Sequence, residues 1–230
     1  MEKRLSRQEA SDAAQDRGWR FLLGTIRTSV VVGSLAQGIE VAAGAAAACA
    51  EHADRHLRAD VRPERVVLTL RDRDLAAVTA RDADLAHRIS AAVHEAGLRT
   101  EPEIGGPAPR SVQILEIAID ALDIAAVRPF WMALLGYVAE PGDESPEGAL
   151  ADPVGQGPAF WFQQMERPRP QRNRIHFDVC VPHDEAARRI EAALSAGGRL
   201  VSADSAPAFW VLADAEGNEA CVTTWQGRDA

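Results

Sequence analysis

Histidine and arginine supply most of the side chains that could do chemistry in this sequence. Imidazole has a pKa near neutral pH and can transfer protons, whereas a guanidinium stays protonated and can only bind an anion or orient a carbonyl group. His52, His87 and His94 fall on predicted helices without an acidic or cysteine partner at ligand spacing. We interpret these three as surface or structural residues, and we therefore consider His56 and His176 first.

The three cysteines are widely spaced and form no paired motif. Their number is odd, and Cys49, Cys180 and Cys221 lie far apart in the chain. This usage favours a reducing compartment. The segment that begins at Met1 leads into a polar helix and not into an apolar signal region, so the sequence predicts a cytoplasmic protein.

The net charge of the protein limits the classes of partner that it can bind. A net charge of −9 at pH 7 argues against a nucleic-acid partner and against anionic membranes. The alanine-rich run 41–50 is too short and too closely flanked by charges to span a bilayer. We therefore expect a small-molecule ligand or substrate, no nucleic acid and no membrane.

The second half of the chain contains a duplicated pattern. Leu115–Asp120 alternates apolar and polar residues, as a strand does, and a helix is predicted from Asp123. About sixty residues later Ile175–Val179 repeats the strand and Asp184 is predicted to begin another helix. Related turns close both copies. The sequence therefore predicts two consecutive strand–helix–strand–strand–strand units.

The first hundred residues have a different organisation. Ser6, with Glu9 three positions on, has the pattern of a capping box at the start of a helix. Thr79 is predicted to cap a second helix, in which Asp82 at the third position favours the helix dipole. Residues 19–32 are rich in β-branched and aromatic residues and predict two strands around Gly24. A helix is predicted over 34–53 and a strand over 66–70. The order predicts an α+β layer, with helices against one antiparallel sheet.

Several of these segments resemble the pterin-4a-carbinolamine dehydratases. Trp19 lies where those proteins carry a tryptophan, and the segment Asp54-Arg55-His56-Leu57 lies where they carry an acidic residue or Asn followed by His-His-Pro. The run 78–86, Val-Thr-Ala-Arg-Asp-Ala-Asp-Leu-Ala, is similar to the start of their following helix and is the most specific part. The resemblance covers most of residues 5–98.

The resemblance implies removal of water from a 4a-hydroxy-tetrahydropterin, with imidazoles transferring the protons. In this sequence the first histidine of the pair is Arg55, and the third histidine position falls on Arg73. The implied catalytic residue is His56, working alone or with Asp54 or Asp72, and Trp19, Arg55 and Arg73 are the implied substrate-binding residues. The alternative is a retained fold whose pocket binds another ligand or supports assembly.

Residues 112–225 resemble the vicinal-oxygen-chelate superfamily, and in particular its glyoxalase-like members. The resemblance is carried by Asp123, the pair Phe130-Trp131, Gly136 and the turn Asp214-Ala-Glu-Gly-Asn. It implies a pair of βαβββ units around a cleft. The family typically holds a divalent metal there, with one ligand from the first and one from the last strand of each unit.

The ligand positions on the first strands fall on Glu116 and His176, and both residue types bind metals. Strand alternation places His176 on one face with Asp178. A divalent metal in the C-terminal domain is therefore implied by the resemblance, and a metal-free apolar pocket is the alternative.

The ligand positions on the last strands are less typical of the family. They fall on Trp161 or Gln163 in the first unit and on Cys221 in the second. Gln163 could coordinate weakly, and Cys221 could bind a soft metal or simply belong to the core. Trp161 could line the cleft for a planar ligand, and Arg174 could hold a carboxylate or phosphate at its mouth.

The sequence predicts an α+β protein of two domains: a dehydratase-like domain over 1–100, a Pro- and Gly-rich linker over 101–111 and a glyoxalase-like domain over 112–230. The leading hypothesis is a small-molecule enzyme or binder of the dehydratase type. A metal-dependent lyase, isomerase or dioxygenase in the C-terminal cleft, and a non-catalytic ligand-sequestering protein, remain alternatives. Both families commonly self-associate, so we expect a homodimer or a higher homo-oligomer.

Overall fold

The computed structural model describes residues 3–104, 110–169, 171 and 174–227. The chain divides into two compact units, Met1–Ile114 and Leu115–Ala230. Residues 105–109 of the predicted linker lie outside the described part. Two short strands, Glu103–Ile104 and Arg110–Ser111, flank them and pair with each other, although the sequence predicted no regular structure there.

The N-terminal unit contains a five-stranded antiparallel sheet packed against helices, as predicted. Its elements in chain order are α1 (Arg7–Gln15), β1 (Arg20–Leu22), β2 (Thr25–Val31), α2 (Leu35–Cys49), α3 (Ala53–His56), β3 (Leu57–Arg62), β4 (Arg65–Leu70), α4 (Ala80–Glu95), β5 (Thr100–Glu101), β6 (Glu103–Ile104) and β7 (Arg110–Ser111). The sheet order is β1-β2-β4-β3, and β5 also pairs with β2. The core lies between the sheet and the helices.

The local signals for the N-terminal helices are confirmed. Ser6 begins α1 and Thr79 begins α4, and each forms a complete capping box with Glu9 and Asp82 respectively. Strand β3 was missed. It is an edge strand whose sequence, Leu-Arg-Ala-Asp-Val-Arg, has few apolar residues because most of its side chains are exposed.

The C-terminal unit contains the two predicted βαβββ modules. The first consists of β8 (Glu116–Ala121), α5 (Ile124–Leu135), β9 (Val138–Ala139), β10 (Leu150–Ala151) and β11 (Ala159–Gln164). The second consists of β12 (Phe177–Cys180), α6 (Ala186–Ser195), β13 (Arg199–Ser202), β14 (Phe209–Ala213) and β15 (Glu219–Thr223). Their sheet orders are equivalent, β8-β11-β10-β9 and β12-β15-β14-β13. In each module the first strand in the chain is parallel to the last one, β8 to β11 and β12 to β15.

One apolar core serves both modules. Phe130 and Trp131 of α5 are fully buried in it, together with Leu212, Ala220 and Val222 of the second module. The indole Nε1 of Trp131 donates to Asp214 in the turn before β15, 3.0 Å away. Helix α6 begins at Ala186 and not at Asp184, because residues 183–185 form a turn first. None of the helices that the structure describes has the length and apolar character that a bilayer crossing needs.

Candidate functional sites

His56 is a buried residue of the N-terminal unit. It ends α3, and its side chain is only 1% exposed. Its Nδ1 lies 2.9 Å from Oδ1 of Asp82, and its Nε2 lies 4.0 Å from Oδ2 of Asp72. Both carboxylates are fully buried. The imidazole therefore lies between two buried acids and not at the surface of a pocket.

The first of these acids also caps a helix, as the third residue of α4. Oδ2 of Asp82 accepts hydrogen bonds from both the backbone N–H and the hydroxyl of Thr79, each at 2.7 Å. A single carboxylate thus joins the N-terminus of α4 to the residue that precedes β3. This arrangement satisfies the amides at the helix end and fixes the position of His56.

The second acid connects His56 to the surface. Arg55 binds Asp72 in a bidentate manner: its Nε donates to Oδ2 at 3.1 Å, and its Nη2 donates to Oδ2 at 2.8 Å and to Oδ1 at 3.1 Å. The backbone N–H groups of Asp74 and Leu75 also donate to Oδ1, each at 3.0 Å. Burial by itself raises the pKa of Asp72, but the hydrogen bonds from Arg55 and Leu75 outweigh it and hold this pKa below its ordinary value.

The other predicted residues of this site are divided between surface and core. Asp54, Arg55 and Arg73 are exposed, and the N–H of Arg73 donates to the carbonyl of Arg55 at 3.3 Å, so the two arginines lie together. Trp19 is fully buried, and its Nε1 donates to the hydroxyl of Ser90 at 2.9 Å. The structure therefore brings Arg55, Arg73 and His56 together but places Trp19 in the core.

The second site lies on one face of the second C-terminal sheet. Asp178 of β12 and Cys221 of β15 are register partners on adjacent parallel strands. His176 precedes Asp178 by two residues, so alternation puts it on the same face. One ligand atom from each of these residues lies within 4.8 Å of the others. Nε2 of His176 lies 3.5 Å from Oδ1 of Asp178.

These three side chains line a cavity of about 380 Å³. Its other lining residues are Ala208, Phe209 and Thr223. The volume is within the range of small-molecule sites, and the walls combine apolar surface with a few polar groups, as ligand sites commonly do. His176 is exposed whereas Cys221 is buried, so the cluster extends from the mouth of the cavity inwards.

The donor set fits a divalent metal such as zinc. Imidazole, carboxylate and thiolate are the ligands that zinc takes in proteins, and two nitrogen or oxygen ligands of a tetrahedral ion are separated by about 3.3 Å. The 3.5 Å between His176 and Asp178 is close to that separation. Three protein ligands would leave one coordination position for a water or a substrate, which is typical of catalytic sites rather than structural ones.

The first module carries different residues at the equivalent positions. Glu116 corresponds to His176, and Ala118 with Trp161 corresponds to Asp178 with Cys221, sixty residues later in each case. Trp161 and Glu116 are exposed on this face. The first module therefore lacks the acid and the thiol that make the second a three-ligand cluster.

His176 and Cys221 are the two predicted ligand positions that belong to that cluster, and Glu116 and Gln163 do not. Glu116 pairs with Ala159 and Gln163 pairs with Asp120, so these two residues are separated by about 13 Å along the strands. Among the described residues, the only group of three or more His, Cys, Asp or Glu side chains close enough to share a metal is His176, Asp178 and Cys221. Arg174 is exposed two residues before His176.

Sequence reasoning identified the acids of these sites only in part. Asp178 was placed on the face of His176 by alternation but was not named as a ligand. Asp72 was considered, beside Asp54, as an acid that assists His56, and Asp82 was predicted only to favour the dipole of its helix. Asp72 and Asp82 are far from His56 in the sequence, and they approach it only when the sheet and the helix have folded.

Two family models match the chain. Residues 3–92 match the pterin 4 alpha carbinolamine dehydratase model, and residues 116–223 match the glyoxalase-like domain model. The chain therefore contains a pterin dehydratase-like segment followed by a glyoxalase-like segment, as the sequence predicted. No curated protein matches the chain.

Solved structures similar to each half were also found. A transcriptional coactivator/pterin dehydratase from Brucella melitensis is 26% identical, with 39% of this chain and 98% of that chain covered and a TM-score of 0.35. A glyoxalase-related enzyme from Fulvimarina pelagi is 21% identical, with 49% and 87% covered and a TM-score of 0.36. A mutant of the fosfomycin resistance protein FosX from Listeria monocytogenes, in complex with Mn(II) and 1S,2S-dihydroxypropylphosphonic acid, is 9% identical, with 50% and 90% covered and a TM-score of 0.38.

Proposed function

We propose that the glyoxalase-like unit is a metal-dependent small-molecule enzyme whose metal is held by His176, Asp178 and Cys221. The observation that carries this proposal is the convergence of these three ligand types within 4.8 Å on the wall of a cavity of about 380 Å³. The reaction class is that of a lyase, isomerase or dioxygenase, acting on a molecule that carries an oxygen donor.

Each protein residue has a definable part in this proposal. A bound divalent ion would supply Lewis-acid polarisation of a substrate oxygen. His176 and Asp178 reach the site from one strand and fix one edge of it. Cys221 contributes a thiolate from the neighbouring strand, which favours zinc over magnesium or calcium because sulfur is a soft ligand. Phe209 supplies an apolar wall for the carbon part of the substrate.

The test uses the metal alone as the probe. Metal-free protein is titrated with zinc chloride, and binding is followed by calorimetry and by the shift in melting temperature. We expect one ion per chain in the wild type and a loss of about tenfold or more in affinity for His176→Ala, which corresponds to about 1.4 kcal/mol or more. An absence of saturable binding would overturn the proposal. Glu116→Gln, at the equivalent position of the first module, is the matched control.

A second function, binding of a reduced pterin by the N-terminal unit, is favoured by the juxtaposition of Arg55 and Arg73. Both guanidinium groups are on exposed residues and their backbones are hydrogen-bonded. In this proposal the two arginines hold the polar edge of the pterin, His56 supports Arg55 through Asp72, and Asp54 is the exposed carboxyl available for proton transfer.

Turnover of a 4a-hydroxy-tetrahydropterin separates an enzyme from a binder. Dehydration that is lost in Asp54→Asn, with binding retained, would support a catalytic unit. Binding without turnover, weakened in Arg55→Gln, would support a pterin binder. Neither binding nor turnover in the folded wild type would overturn this second function. We further propose that the protein acts as a homo-oligomer, which sedimentation would test.

A further inference from the structure

The strand that carries Cys221 leads from the C-terminal cavity to an exposed tryptophan. Cys221 and Thr223 of β15 both line the cavity, so alternate residues of this strand face it. The N–H of Thr224 donates to the carbonyl of Ala208, another lining residue, at 2.9 Å, and this bond continues the pairing of β15 with β14. Alternation therefore puts Trp225 on the cavity side of the sheet, directly beyond Thr223.

Trp225 is exposed and yet held in place. It is the most exposed of the five tryptophans, at 61%. Its indole Nε1 donates to Nδ1 of His183 at 3.2 Å, and the two rings contact each other edge to face with their centroids 5.5 Å apart. A single exposed apolar side chain is common, but this one has a fixed orientation with most of its surface open to solvent.

The backbone on both sides of Trp225 is also fixed. The hydroxyl of Thr224 donates to the carbonyl of Pro207 at 2.6 Å and accepts from the N–H of Gln226 at 3.2 Å. The indole is thereby attached to the turn that precedes Phe209, which lines the cavity. A ligand that leaves the cavity on this side meets an aromatic surface that is already ordered.

The hydrogen bond to His183 also defines the charge of the pair. An indole N–H can only donate, so Nδ1 of His183 accepts and carries no proton. The imidazole is then neutral, with its proton on Nε2. The pair therefore presents an uncharged aromatic surface, which suits a neutral ring better than an anionic group.

A planar ring is the ligand group that such a surface binds. Aromatic rings that stack or meet edge to face gain more than the burial of their area alone gives, and an ordered partner lowers the entropic cost of the contact. Cys221 and Trp225 are four residues apart, which is about 13 Å along an extended strand. A molecule that reaches from the metal ligands to the indole is therefore elongated.

We propose that Trp225, positioned by His183, is a ring-binding subsite next to the C-terminal cavity, and that the substrate carries an aromatic ring at the end opposite to its oxygen donor. This inference rests on the proposed function, because the metal holds the oxygen end of the same molecule. It defines the substrate class as elongated aromatic compounds with an oxygen donor.

Two zinc-binding probes that differ only in a ring test the subsite. Phenylhexanohydroxamate, with the ring at the end of its chain, and hexanohydroxamate are titrated into the zinc-loaded full-length protein by calorimetry. We expect the phenyl probe to bind the wild type about tenfold more tightly, a difference of about 1.4 kcal/mol. In Trp225→Ala the two affinities should become equal, while hexanohydroxamate binds as it does to the wild type. Trp225→Phe should restore part of the preference.

Two further variants separate positioning from general surface effects. His183→Ala leaves the indole in place without its hydrogen bond, so it should reduce the ring preference by a smaller factor than Trp225→Ala. Val154→Ala removes an exposed apolar side chain of the first module and should keep the full preference.

The outcomes distinguish the subsite from the metal site. Equal affinities of the two probes for the wild type, or a ring preference that survives in Trp225→Ala, would overturn the subsite and leave the metal site intact. If neither probe binds the wild type, the proposed metal-dependent function fails, and the subsite fails with it.

Discussion

His56 and His176 are both histidines beside carboxylates, yet they lie in opposite environments. His56 is 1% exposed and lies 2.9 Å from a fully buried Asp82, whereas His176 is 57% exposed and lies 3.5 Å from an exposed Asp178. The first is enclosed by a capping box and a bidentate arginine pair, and the second faces a cavity. The comparison teaches that burial, more than residue type, separates a histidine that holds the fold from one that can bind a ligand.

The two C-terminal modules can also be compared, by the residue types that they carry at equivalent strand positions. Their strands have equivalent pairing, but the first presents Glu116 and Trp161 where the second presents His176 and Cys221. Duplication has kept the backbone and changed the chemistry. A metal site in the second module alone is the simplest consequence.

The largest expected effect on stability comes from removing the imidazole of His56, and removal of the imidazole of His176 is the comparison. His56→Ala leaves two buried carboxylates without their shared partner and should lower the free energy of unfolding by about 3–5 kcal/mol. His176→Ala, at an exposed position, should change it by less than about 0.5 kcal/mol. Urea denaturation of the metal-free protein measures both. Equal effects of the two substitutions would contradict the comparison.

Thiol reactivity should distinguish the buried N-terminal core from the C-terminal site. Burial raises the pKa of Cys49 to about 11, so roughly one thiol in a thousand is ionised at pH 8. We expect iodoacetamide to alkylate the exposed Cys180 first and Cys49 far more slowly, as peptide mass spectrometry would show. Added zinc should slow the alkylation of Cys221 without altering that of Cys49. If zinc protected both equally, the effect would be on stability and not on ligation.

Acid should destabilise the His56 network through Asp72. Because the pKa of Asp72 is lower in the folded state than in the unfolded chain, its contribution to stability is present above the unfolded value and is lost as the pH falls through the folded value. We therefore expect the free energy of unfolding to decrease below about pH 4. Asp72→Asn should flatten this dependence. Urea denaturation at a series of pH values measures it, and an unchanged slope in the variant would rule out Asp72 as the cause.

The smallest effect is expected in the first module. Gln163→Ala and Glu116→Gln should change zinc affinity less than about twofold, since neither residue belongs to the three-ligand cluster and a twofold change is about 0.4 kcal/mol. Calorimetry of each variant beside His176→Ala gives the comparison. A loss as large as that of His176→Ala would show that the first module supplies a ligand.

Much of the fold could be predicted because its signals are local. The capping boxes at Ser6 and Thr79, the hairpin at Gly24 and the duplicated module are all encoded in neighbouring residues. Strand β3 was missed because its edge position leaves it polar, and the start of α6 was misplaced because the acid at 184 lies in a turn.

The candidate sites could be predicted only in part. His176 was identified from its place on a first strand, and Asp178 follows from alternation. The enclosure of His56 could not be predicted, because Asp72 and Asp82 reach it through the packing of a loop and a helix against β3.

The absorption spectrum of the cobalt-substituted protein tests the central claim most directly. Cobalt(II) occupies zinc sites, and a thiolate ligand produces a sulfur-to-metal charge-transfer band in the near ultraviolet. We predict this band in the wild type, its loss in Cys221→Ser and its retention in Cys180→Ser, which removes the thiol two residues beyond Asp178 on β12. A wild-type spectrum without the band, or a band that survives in Cys221→Ser, would contradict a metal site built from His176, Asp178 and Cys221.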